Sequence, residues 1–277
     1  MKLSKLYGIG VGPGDPELLT IKAYKILKEV DMIVTPRSSE DKRSLALLTI
    51  EGIINERKNK PIVVEPIFPM TKDQAKLAFY WEKAWEEVLK NAKGCETVAF
   101  ITLGDPSLYS TFYRFLEIFK DAVDEVEVVP GVTSFSACSS IAKAPIAEGN
   151  EIVSIVPDVK GNENAVQIIQ NSDSLIFLKP KNMDEIKTML GNKKAILGVK
   201  VGFEDQEMVF GKLNELQQPG HYLSTLIVKK EIDTKPKPQD YTRLTQNKSK
   251  MRQRRIDREE ENPQQISWKS VESGGSK

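Results

Sequence analysis

The chain has 277 residues, 40% of them apolar and 29% charged, with two cysteines, one histidine and a formal net charge of +1. This excludes collagen-like, coiled-coil and wholly disordered classes and leaves ample material for one or two hydrophobic cores. Two cysteines cannot staple a secreted mini-protein, one histidine excludes a histidine-rich metal site, and no apolar run has the length of about 18 residues that a membrane helix needs, so a cytoplasmic protein with no bound metal is expected.

Residues 3–11 predict a short apolar strand ending in glycines. Asp15-Pro16 then predicts a helix start, with Asp15 as N-cap, Pro16 in the first turn, and an apolar face of Leu18, Leu19, Ile21, Ala23, Ile26 and Leu27. A strand follows at 31–35, helices at 43–56 and 71–92, and a strand at 62–68 between them. Leu77, Trp81, Trp85, Val88 and Leu89 recur at helical spacing and read as core. Residues 98–103 (VAFITL) predict a buried strand, followed by a turn and a helix to about Phe119. Next come a strand at 125–129, a small-residue helix at 134–142, a strand at 151–156, a helix at 162–170 and a strand at 174–178. A helix at 183–190 and strands at 195–201, 207–210 and 222–228 complete the alternation.

This order predicts an α/β protein with a largely parallel N-terminal sheet and a mixed C-terminal one. The expected domains are 1–130 and 131–233, each of ordinary domain size, followed by a disordered tail. The tail, 234–277, carries 11 Lys and Arg against 6 Asp and Glu, whereas residues 1–233 carry 29 against 33. It has few aliphatics, and its basic run at 248–258 reads as solvated chain rather than a nucleic-acid contact.

Three turns at predicted strand ends carry the chemistry. The first is GIGVGPGDP (8–16), which fits a dinucleotide fingerprint in neither register: counted from Gly8 the last glycine position is Pro13, and counted from Gly10 it is Asp15. It is either a tight strand–helix turn or a place where a ligand approaches the backbone, and four glycines in seven residues favour the ligand. The second is LGDPSLYS (103–110), whose Asp105 either bonds a ligand or caps the next helix. The third is PGVTSFS (130–136), whose hydroxyls either cap the following helix or touch a ligand. The polar loop PRSSEDKRS (36–44) places Arg37, Lys42 and Arg43 beside the same edge, where they would meet an acidic substrate or remain solvated.

Together the turns resemble the tetrapyrrole (corrin/porphyrin) methylase family over residues 3–230. IGVGPGDPELLTIKA (9–23) carries one signature, with Val11 where the family usually has a smaller or hydroxyl residue. The second runs through Val98, Ile101, Gly104-Asp105, Tyr109-Ser110 and Pro130-Gly131. VTPRSSE, FITLGDPSLYST, PGVTSFSACSS, PIAEGNE, FLKPKN and YLSTLIV are most similar to members that methylate C-20 of precorrin-2 or its cobalt form, cobalt-factor II. Members acting on other corrin positions, porphyrinogens or macromolecules are the alternative.

The resemblance implies a homodimer with S-adenosylmethionine held between the two domains and a tetrapyrrole as acceptor. It maps cofactor contacts onto Pro13, Gly104, Asp105, Leu108, Thr133 and Ser134, and further onto Leu178, Lys179, Gly202 and Thr225. Methyl transfer from a sulfonium asks mainly for alignment in a dry cleft. No catalytic base is assigned; Tyr109, Lys179 and Glu148 are the polar candidates. Arg37, Lys42 and Arg43 are the candidates for substrate carboxylates.

Overall fold

The structure, a computed structural model, describes residues 3–69, 71, 73–156 and 165–229, all within one compact unit, Met1–Ile232. The tail expected at 234–277, including its basic run, and the start of the helix expected at 162 lie outside the described residues.

The first sheet holds β1 (Leu3–Gly10), β2 (Met32–Val34), β3 (Ile62–Val64), β4 (Thr97–Thr102) and β5 (Val123–Val129) in the order β3-β2-β4-β1-β5, all parallel. Its central strands are continuously apolar because both faces are covered. Val98 and Phe100 of β4 face one core with α3 (Gln74–Asn91) and α4 (Phe112–Phe119). Ala99 and Ile101 face the other with α1 (Ile21–Glu29) and α2 (Leu45–Glu56). Trp81 and Trp85 pack against the first core beside the fully buried Val88, as their spacing predicts.

The second sheet runs β6 (Val153–Val156), β7 (Ser174–Leu178), β10 (Ser224–Lys229), β8 (Lys194–Val199) and β9 (Glu207–Lys212). Only β6 and β7 are parallel, so the sheet is mixed. Leu175 and Phe177, with Leu226 and Val228, face α6 (Ala165–Asn171) and α7 (Met183–Leu190). Ile176, Ile196 and Ile227 face the other way onto Ala137, Cys138 and Ala142 of α5 (Ser134–Ala142). Thus α5, the first helix after β5, already covers the second sheet.

Two expectations need correction. The helix expected from Asp15-Pro16 is only a 3-10 turn, Pro16–Leu18, in which Asp15 accepts from the Glu17 N–H at 3.0 Å. The chain is extended again at Leu19, and Thr20 recaps it by accepting from the Ala23 N–H at 3.1 Å to start α1. Ile21 is consequently 75% exposed and not part of the core face. The strand expected at 62–68 stops at Val64, because Pro66 has no ladder donor; an isolated bridge from Arg37 to Ile67 continues the pairing.

The strand order also fixes where a ligand can enter. The connection from β1 leads to β2 on one side, whereas that from its neighbour β4 leads past β1 to β5 on the other. Adjacent strands whose connections diverge leave a crevice at their carboxyl ends, the usual ligand position in an open α/β sheet.

Candidate functional site

The floor of the crevice is backbone packed on backbone. A Cβ on Gly10 would lie 2.5 Å from the Gly104 carbonyl oxygen and 2.7 Å from the Gly131 nitrogen. One on Gly131 would lie 2.1 Å from the same carbonyl. The Gly104 N–H donates to the Gly12 carbonyl at 2.8 Å, fastening the first two turns together. A Cβ on Gly14 would lie 2.6 Å from the Phe203 ring, and one on Gly202 2.9 Å from the Asp15 nitrogen. The glycines at 10 and 14 therefore admit the protein's own chain rather than a ligand. Gly104 differs: its φ is +70° and nothing stands within 4 Å of where a Cβ would be.

Above this floor lies a cavity of about 400 Å³, walled by both sheets. Pro13 comes from the first turn, Gly104, Asp105, Leu108 and Tyr109 from the second, and Thr133 and Ser134 from the third. Leu178, Lys179 and Lys181 follow β7, Lys200, Val201 and Phe203 follow β8, and Tyr222 to Thr225 lead into β10. The volume lies within the range of small-molecule sites. Four non-glycine residues among those described have left-handed backbone, and three of them, Tyr109 (φ +50°), Lys179 (+57°) and Lys200 (+50°), line this cavity. Such conformations cost energy and cluster where function overrides local preference.

The polar groups are held in place. One Asp105 oxygen accepts from the Ser107 N–H at 2.8 Å and the Ser107 hydroxyl, and the other accepts from the Gly131 N–H at 2.9 Å. Burial pushes the Asp105 carboxyl up, but the hydrogen bonds from Ser107 and Gly131 outweigh it and leave it below the usual range. Asp105 thus ties two turns together; the cap position of α4 belongs to Thr111. Thr133 caps α5 and also faces the cavity. Ser134 and Thr225 share a hydrogen bond of 2.9 Å between their hydroxyls, joining α5 to β10. The Lys179 N–H donates to the Ser224 carbonyl at 2.8 Å, and its ammonium stands 5.7 Å from the centre of the Tyr222 ring. Solvent reaches Lys179 from the cavity while protein crowds its ammonium; desolvation, then the Lys181 charge, hold its pKa below the ordinary lysine value. Burial pushes the Cys138 thiol up to about 12, which leaves it inert as a nucleophile.

Nine of the ten residues mapped as cofactor contacts line this one cavity; Gly202 instead backs the first turn. Tyr109 and Lys179 also line it, whereas Glu148 is exposed in the loop after α5 and does not. Arg37, Lys42 and Arg43 are not on its wall. Arg37 donates to the carbonyls of Glu65 at 3.0 Å and Glu40 at 2.8 Å, beside a separate 110 Å³ pocket. Arg43 is paired with Glu51 at 2.8 Å. Lys42 is exposed, and its charge adds to the burial and the Lys200 charge that lower the pKa of His221. Sequence reasoning missed Lys181, Lys200 and Tyr222; their signal was their position in turns beside strand ends of the second sheet.

A parallel sheet with its crevice at the β1–β4 switch point, closed by a mixed sheet carrying basic and hydroxyl side chains, defines the class. The chain belongs to the family described as Tetrapyrrole (Corrin/Porphyrin) Methylases, which it matches over residues 5–217. It is 39% identical to the "Probable cobalt-precorrin-2 C(20)-methyltransferase" of Methanocaldococcus jannaschii, over 82% of this chain and 97% of that one. It is 30% identical to the cobalt-precorrin-2 C(20)-methyltransferase of Salmonella typhimurium over the same shares. Among solved structures, it resembles uroporphyrin-III C-methyltransferase from Thermus thermophilus, complexed with S-adenyl homocysteine. That likeness has a TM-score of 0.57 at 21% identity, covering 82% of this chain and 97% of the other, and it concerns the fold.

Proposed function

We propose that this protein methylates C-20 of a reduced tetrapyrrole in cobalamin biosynthesis, using S-adenosylmethionine, with the cobalt-bearing acceptor preferred over precorrin-2. The observation that carries this is the 39% identity to a cobalt-precorrin-2 relative along 97% of that relative's length. The "Precorrin-2 C(20)-methyltransferase" of Sinorhizobium sp is 28% identical over 68% of this chain and 78% of that one. The reading includes a cytoplasmic homodimer and domains at 1–130 and 131–233, on family resemblance and composition.

The cavity suits the methyl donor chemically. Leu108, Leu178 and Val201 offer apolar wall for a purine, the Thr133 hydroxyl offers a polar edge, and Gly104 leaves backbone open to close approach. When bound, the sulfonium supplies an already activated methyl group, so the chain's work is alignment and exclusion of water. Pro13 and Leu108 press from the first sheet while Leu178 and Thr225 press from the second. Asp105 is held ionised by Ser107 and Gly131, keeping the second and third turns at a fixed separation. In the transfer the C-20 carbon forms the new bond, the methyl–sulfur bond breaks, and C-20 gives up its proton to solvent.

Anaerobic incubation with S-adenosylmethionine and either cobalt-factor II or precorrin-2, following S-adenosylhomocysteine release, tests the reading. Faster release with the cobalt acceptor supports it; no release with either acceptor, by a chain that still binds S-adenosylhomocysteine, overturns it.

A further inference from the structure

We infer that Lys179 and Lys181 form a two-ammonium site for the carboxylates of the macrocyclic acceptor. The inference rests on the proposed function for its choice of ligand, but its geometry is independent of that choice. Both lysines sit on the cavity wall in the turn Lys179-Pro180-Lys181-Asn182 between β7 and α7, and Lys179 is also one of the positions that the family resemblance maps to the cofactor. Neither meets a carboxylate among the described residues, whereas Lys200, the third lysine of the wall, is occupied by Asp205. Among the described residues the one acidic side chain on that wall, Asp105, has both oxygens engaged by Ser107 and Gly131. The free charge facing the cavity is therefore positive, and a cleft lined by one sign of charge concentrates ligands of the other.

The turn is built to hold these charges in place. Lys179 is fixed in the left-handed region by its N–H bond to Ser224. Pro180 is buried, and its carbonyl accepts from the Gln218 amide at 2.8 Å. The other end of that amide accepts from the Met183 N–H at 3.3 Å, so one side chain pins both ends of the segment between the lysines and α7. Desolvation, and then the Lys181 charge, oppose the Lys179 ammonium. An incoming pair of carboxylates relieves both. A reduced tetrapyrrole with acetate and propionate arms at its rim offers such pairs, and the exposed faces of Tyr109 and Tyr222 on the same wall suit its flat body. In the 36–44 loop the Arg37 and Arg43 guanidinium groups are already engaged, and the exposed Lys42 lies off the cavity wall, whereas the β7–α7 turn is on it.

The test is equilibrium binding of uroporphyrin, an octacarboxylate macrocycle, followed by its fluorescence in the presence of S-adenosylhomocysteine. Lys179→Asn removes a charge while keeping a residue that tolerates the left-handed backbone, and Lys181→Ala removes the other. Each should weaken uroporphyrin binding by about tenfold at low salt, as expected for loss of one charge-assisted contact. In Lys181→Ala the uroporphyrin Kd should rise by more than the S-adenosylhomocysteine Kd. Unaltered uroporphyrin affinity in both variants, or no uroporphyrin binding by the unaltered chain, overturns the inference. Failure of the function is distinguishable, because it appears as absent methyl transfer by the unaltered chain.

Discussion

At Lys143 and Lys179 the same residue type adopts the same left-handed backbone for different reasons. Lys143 ends α5 at φ +52°, its N–H closing on the Ser139 and Ser140 carbonyls, and it does not line the cavity. Its geometry is a helix cap that glycine fills better, so Lys143→Gly should stabilise the protein by about 1 kcal/mol in denaturant titration with no change in ligand binding. Unchanged or lower stability would mean that the lysine side chain does more there than end a helix. Gly131 is the opposite case. A Cβ there would lie 2.1 Å from a backbone carbonyl that is itself locked between two turns. Gly131→Ala should cost about 1–3 kcal/mol and also weaken S-adenosylhomocysteine binding, because the floor of the crevice must move; a wild-type Tm would contradict the packing described. These roles were only partly legible in the sequence. The glycine-rich turn was visible, but which glycines face the chain and which face the cavity depends on contacts with residues about 90 to 190 positions away.

The elements are joined by a few side chains that do not belong to the cores. Asp31, just before β2, accepts from the Glu96 N–H at 3.0 Å and from the Thr97 N–H and hydroxyl, each at 2.9 Å, tying β2 to the start of β4. Burial pushes its carboxyl up, but the bonds from Thr97 and Glu96, with the Arg57 charge, hold it below its ordinary value of 3.8. Its contribution to stability is therefore present above that value and lost as pH falls through the lowered folded value. Asp31→Ala should cost about 1–3 kcal/mol at neutral pH, and the gap from wild type should close in titrations below about pH 4. A gap independent of pH would contradict the ionised role. On the wall of the cavity, the Ser134–Thr225 bond joins α5 to β10. A double-mutant cycle with Ser134→Ala and Thr225→Val should give a coupling energy of about 0.5–1.5 kcal/mol, and additivity would show the two hydroxyls to be independent. Strand and helix identities were largely readable, because β4 is apolar on both faces and α3 carries its tryptophans at helical spacing. The false helix start at Asp15 has a physical reason: an acidic cap followed by proline suits a single 3-10 turn as well as a helix, and the choice between them is made by Thr20.

On the scale of the whole molecule, the site is produced by strand order. The switch point between β1 and β4 opens the crevice, and the β7-β10-β8 order brings the lysine-bearing turns after β7 and β8 to its far wall. The three glycine turns could be picked out from sequence because each follows a strand directly, while the single residues within them, like Leu178, Lys179, Gly202 and Thr225 further on, came from the family resemblance. Lys181, Lys200 and Tyr222 had only their place in turns beside strand ends to mark them, and bringing them together takes an antiparallel β10 inserted between β7 and β8. In the 36–44 loop the three basic residues look alike in sequence but differ in the structure: Arg37 donates to the Glu65 and Glu40 carbonyls, Arg43 pairs with the Glu51 side chain, and Lys42 is exposed.

The central claim, methylation at C-20, is tested most directly by locating the transferred carbon. The protein is incubated anaerobically with S-adenosylmethionine carrying a ¹³C methyl group and with cobalt-factor II, and the product is read by ¹³C NMR after cobalt-free derivatisation or by mass fragmentation. The account predicts a single new labelled methyl at C-20. A labelled methyl at any other ring position, or none, would contradict it.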